Sequence, residues 1–163
     1  MTNEQRFKIF RRGIVAGAAG GIAEVAWVTC YAGLTGGSPA AVARGVTTAA
    51  GVNALLPAFP VGLGAAVHML LAVALGIALV CAWTALRARG PVLNNPYPFT
   101  LTALTAVWVI NFFVVLPIVS PTFVHMVPYA VSLASKLLFG LAAAAILQWQ
   151  PAAKFLQLQN PRG

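Results

Sequence analysis

Acid is what this sequence has least of. Its 163 residues include no aspartate and two glutamates, Glu4 and Glu24, and charged residues of all kinds make up 7% of the chain. Soluble domains carry about a quarter of their residues as charge, so this composition excludes a water-facing globular fold. Cysteine is nearly as scarce. Cys30 and Cys81 stand singly inside apolar runs, without CxxC spacing. That excludes a secreted disulfide framework and leaves two small buried hydrophobes as the reading. No phosphate-cradling glycine loop, nucleophile elbow or metal-ligand cluster is present.

In place of charge there is apolar length: 60% of the chain is hydrophobic and the mean hydropathy is +0.87. Four runs are long enough to cross a hydrocarbon core of about 30 Å at 1.5 Å per helical residue. They read as spans over residues 13–34, 61–86, 99–119 and 128–149. Four spans leave only short connections, so the chain reads as one membrane domain over residues 1–163, with no separate catalytic domain and no enzymatic assignment. The fold class expected is all-α: a four-transmembrane-helix up-down bundle with short links.

Between the first two spans, Gly36-Gly37 stops a helix and Ser38-Pro39 starts another, as N-cap and first helical residue. Val42, Val46 and Ala49 share one face while Arg44, Thr48 and Gly51 lie toward another. Residues 38–51 therefore read as a short amphipathic helix on the membrane surface. A transmembrane reading of Pro39 to Phe59 would reverse every later orientation, and the distribution of basic residues opposes it. The loop Gly90 to Pro98 reads as a polar turn that cannot continue a helix. Ser120-Pro121 marks the last turn, with Pro117 breaking the third span near its end.

The formal charge of +8 would suggest nucleic acid in a soluble chain, but here topology explains it and no nucleic-acid partner is expected. Arg6, Lys8, Arg11, Arg12, Arg87, Arg89, Lys154 and Arg162 fall on the side of the N-terminus, against Arg44 alone on the other. The positive-inside rule then puts both termini in the cytoplasm, in a bacterial-type inner membrane. The basic segment up to Arg12, interleaved with Phe7, Ile9 and Phe10, suits anionic headgroups. Twin arginines before an apolar run also fit an export signal, but Glu24 interrupts what would be its apolar region.

The first span carries Gly13, Gly17 and Gly21 at small-xxx-small spacing, the mark of a face that another helix approaches closely, within this chain or from a partner. It also carries Glu24 near its middle. Counting from helix boundaries, Glu24, Asn111 and Lys136 fall at a similar distance from the cytoplasmic edge, and His68 and Lys136 follow Pro60 and Pro128 by eight residues each. Each span thus offers one polar side chain to a common layer: Glu24, His68, Asn111 and Lys136. Glu24 is the lone intramembrane acid and Lys136 the lone intramembrane ammonium, so they are the expected pair.

A b-type haem would need two histidines at one level, and His125, before Pro128, reads as lying at or above the outer edge. The His68-Met69 and His125-Met126 dipeptides suggest soft-metal ligation only weakly. No metal or cofactor is expected, bound lipid aside. Ala26-Trp27-Val28 echoes Val107-Trp108-Val109, and Pro60 with His68 echoes Pro128 with Lys136, a faint sign of two parallel hairpins. The function expected is that of a non-catalytic accessory subunit of a larger inner-membrane complex, respiratory or photosynthetic, whose partners are lipid and the larger subunits. The rival is a small proton- or ion-coupled transporter or channel, built as a homo-oligomer around the Glu/Lys/His layer.

Overall fold

The computed structural model describes residues 3–87 and 95–149, and every regular element among them is helical. Four long apolar helices dominate: α1 (Asn3–Leu34), α3 (Pro60–Leu86), the run Pro96–Val119, and α7 (Tyr129–Gln148). Their lengths of 32, 27, 24 and 20 residues correspond to about 48, 40, 36 and 30 Å, each enough to cross a bilayer. The run Pro96–Val119 is composite: α4 (Pro96–Ile110), a π-helical segment over Asn111–Val115, and α5 (Leu116–Val119). Two short helices complete the described residues, α2 (Pro39–Ala49) and α6 (Pro121–Val124).

Several boundaries differ from those expected. α1 begins at Asn3, ten residues before Gly13, so the basic segment continues the span as helix, with Lys8 and Glu4 paired at 2.6 Å on its exposed side. Helix also resumes at Pro96 rather than Phe99. Pro96 and Pro98 are accommodated because the first turn has no intrahelical use for its N–H groups, and the Asn95 side chain accepts from the Tyr97 N–H. Arg89, Asn94, Lys154, Arg162 and the loop residues 90–94 lie outside the described residues.

α2 is capped by Ser38, whose side chain accepts from Ala41 N–H, and its eleven residues span only about 16 Å, too short to cross a bilayer. Arg44, Thr48 and Gly51 are exposed, as the amphipathic reading requires. The tightest packing, however, is at Gly45 and Thr47 rather than along the valine face. A Cβ at Gly45 would lie 2.6 Å from the Phe123 ring, and one at Gly64 would strike the Ala43 carbonyl. α2 thus lies against α3 and α6 at one end of the molecule.

α1 packs between α3 and α7, α4 packs on α7, and α3 meets α4 along a thin seam. Paired contacts set the directions. Gly13 meets Ile77, Gly17 meets Val73 and Gly21 meets Met69, so α1 and α3 are antiparallel. Trp27 with Val131 and Gly20 with Phe139 make α1 and α7 antiparallel, and Thr100 with Gly140 and Trp108 with Ser132 do the same for α4 and α7. The main apolar core, including Ala16, Val80, Trp83, Leu104, Phe139 and Ala143, lies toward the α1 N-terminus. A second cluster of Trp108, Phe112, Leu116 and Val124 lies toward the other end.

The α1–α3 contact is backbone on backbone. A Cβ at Gly17 would sit 2.5 Å from the Ala72 carbonyl oxygen and 2.6 Å from Val73 Cα, and one at Gly76 would strike Gly17 itself. The glycine face of α1 therefore meets a helix of its own chain, with Gly76 as a reciprocal notch. Such close approach supplies dispersion contacts, which must carry helix association where lipid tails compete equally for apolar surface.

Candidate functional site: a buried charge centre

Glu24 sits one turn beyond the last of the three glycines, and the closeness of that seam brings it within reach of both flanking helices. The residue is 3% exposed. Lys136 Nζ, from α7, lies 2.6 Å from Glu24 Oε1, and His68 Nε2, from α3, lies 3.6 Å from Glu24 Oε2. One carboxylate thus faces a basic side chain on each side, one per oxygen. Neither Oε1 nor His68 Nε2 has a partner in hydrogen-bonding orientation. The Lys136 contact is therefore a charge contact made off the hydrogen-bond direction. The Gly21 carbonyl lies beside the His68 ring, and Lys136 Nζ also stands 5.9 Å from the centroid of the Phe139 ring.

Asn111 does not join them. Trp108 faces Ser132 across the α4–α7 seam, so the α4 residue level with Lys136 is Leu104, which is fully buried. Asn111 lies seven residues farther on, about 10 Å along the axis. It opens the π-helical segment and is half-buried. Counting from Phe99 misjudged its depth because the helix starts earlier, at Pro96, and because that start is level with Ala144, short of the end of α7. Cys30 and Cys81, expected to be buried, are both exposed on the helix surface. In an all-helical membrane protein the outer face is apolar too, so an apolar setting does not imply a protein interior.

Two tryptophans grip α7 just beyond the charge centre. Trp27 Nε1 donates to the Val131 carbonyl at 3.0 Å, and Trp108 Nε1 donates to Ser132 Oγ at 2.9 Å. The indoles come from α1 and α4 and seize successive residues. Interhelical hydrogen bonds of this kind contribute about 1 kcal/mol each in membrane proteins. The Trp108 ring continues into a cluster with Phe112, Phe113 and Tyr129 at centroid separations of 5.6 to 6.3 Å. Sequence reasoning noted both tryptophans only as echoes of one another. An indole among aliphatic residues signals a need for an acceptor, but not which helix supplies it.

The surroundings seal the centre on one side. Toward the α1 N-terminus, a Cβ at Gly20 would lie 2.5 Å from the Phe139 ring, which is fully buried, and the main core follows. Toward the other end there is a cavity of about 350 Å³, lined among others by Val28, Tyr31, Ser38, Val42, His125 and Pro128. Val28 stands four residues from Glu24, one turn along α1. His68 and Lys136 are partly exposed, their side chains at 26% and 17%. Among the described residues no group of three His, Cys, Asp or Glu side chains is placed to hold a metal ion.

Comparison with family models, with curated proteins and with solved structures finds no match to this chain.

Proposed function

We propose that this chain is a four-span up-down membrane bundle serving as a non-catalytic accessory subunit of a larger inner-membrane complex, respiratory or photosynthetic in kind. The observation that carries the reading is the seal beneath the charge centre. Gly17 on Gly76 and Gly20 on Phe139 close the α1–α3 and α1–α7 seams toward the α1 N-terminus, which supports the Glu24–Lys136 contact as a lock on helix register. Polar contacts between spans commonly have that role. A broad apolar groove along α4, between Leu101 and Ile110, offers a seat for a neighbouring subunit's helix.

Purification in mild detergent without crosslinking tests this. Larger membrane subunits should travel with the chain at fixed stoichiometry, whereas a self-contained oligomer would overturn the assignment. The orientation proposed places both termini in the cytoplasm and residues 120–127 outside. Cysteines at the exposed positions Asn3 and Thr122 should label from opposite faces of sealed vesicles. Labelling from one face would remove the four-span topology.

A second reading, a proton-coupled transporter, is favoured by one observation: a partly exposed imidazole stands 3.6 Å from a buried carboxylate already engaged by an ammonium. Intramembrane ionisable groups so arranged are a common means of moving protons.

A further inference from the structure

We propose that His68, Glu24 and Lys136 form a proton-exchange switch, in which a proton taken up on His68 Nε2 competes with Lys136 for the Glu24 carboxylate. The inference deepens the proton-coupled reading, and rests on it for what the exchange drives.

The argument begins with charge. With a neutral imidazole, the Glu24 carboxylate and Lys136 ammonium sum to zero, the arrangement that a poorly solvating interior tolerates best. His68 Nε2 points at Glu24 Oε2 from 3.6 Å, and neither that nitrogen nor the other carboxylate oxygen has an oriented hydrogen-bond partner. The gap is too short for a water to stand directly between the two atoms, which would need a normal hydrogen-bond length on each side. It is one that a proton on Nε2 closes through a small side-chain adjustment. The step takes the proton from a hydronium ion, leaving water, and forms one N–H bond at Nε2. The centre then carries a net charge of +1.

One carboxylate cannot compensate two cations fully, so Glu24 must be shared. Its two oxygens already face the two claimants separately, and their helices, α3 and α7, lie on either side of α1. Proton uptake therefore strengthens the α1–α3 contact and weakens the α1–α7 contact at the same level.

At this level the charged groups around His68 among the described residues are Glu24 of α1 and Lys136 of α7. The other charges of α1, Glu4, Arg6, Lys8, Arg11 and Arg12, lie toward its N-terminus. α2 carries Arg44, exposed at the outer end of the bundle, and α4 carries no charged residue, its Tyr97 lying near its far end.

Infrared difference spectroscopy of the whole protein in detergent, titrated over pH 4 to 9, reads the switch directly. Imidazole bands and carboxylate bands should change together with one midpoint, and Lys136→Met should move that midpoint by about one unit or more, a tenfold change in proton affinity. His68→Gln should abolish the carboxylate change while leaving the helical amide bands intact. Independent titration of the two groups, or the same midpoint in Lys136→Met as in the wild type, would overturn the switch. Proton uptake by proteoliposomes separates the levels: coupled titration without uptake retains the switch and discards transport, whereas uptake retained in His68→Gln discards the switch and keeps transport.

Discussion

With His68 neutral, Lys136→Met will destabilise the protein by about 3 to 5 kcal/mol, the loss expected when one member of a buried ion pair is removed and its partner is left behind. Glu24 is 3% exposed and its Oε1 lies 2.6 Å from the ammonium, so no solvent stands ready to take over. Glu24→Gln should cost a comparable amount by stranding the lysine. The two changes together should recover much of either loss, because no uncompensated charge remains. Thermal unfolding in detergent, followed by circular dichroism, measures all three variants. If the losses simply add in the double variant, the two residues are not coupled and the register-lock reading fails.

Gly17→Leu should be as damaging by a different route. Its new Cβ would meet the Ala72 carbonyl and Val73 Cα at 2.5 and 2.6 Å, and these are backbone atoms that no rotamer change can clear. The helices must separate, which also draws Glu24 away from His68. A loss of about 3 kcal/mol is expected, at the upper end for inserting bulk into a packed contact. Gly33→Leu is the control on the same helix: nothing lies within 4 Å of a Cβ there, and its effect should stay within about 1 kcal/mol. Equal loss of stability in both would show that leucine is tolerated nowhere on α1, and that the seam is not special.

How much of this was legible beforehand depends on the kind of information each residue carries. The four long helices could be read because their length and hydropathy are local properties. The meeting of Glu24 with Lys136 could be read because each is unique in its charge among the apolar runs, so pairing needed no knowledge of helix rotation. The glycine spacing marked a close contact but could not name the opposing helix, since Gly76 looks like any glycine in an apolar stretch. Asn111 was misplaced because depth counted from a chain boundary inherits the error in the helix start and assumes that neighbouring helices end at one level, which α4 and α7 do not. The tryptophan bonds to Val131 and Ser132 depended on rotation about two helix axes, which hydropathy does not encode in a chain that is apolar all round.

The π-helical segment has a consequence for how this span can change in length. Leu116 N–H bonds to the Asn111 carbonyl, five residues back, so the segment is a helix holding one residue more than an α-helical turn needs. Pro117 follows directly and has no N–H to offer, which an α-helical continuation would require of it. A single-residue deletion between 111 and 115 would straighten the turn and leave both flanks facing the neighbours they face now. Elsewhere in the long helices, loss of one residue turns everything beyond it by about 100° and redirects every packed side chain. Among the described residues, this is where the chain can lose length without losing alignment.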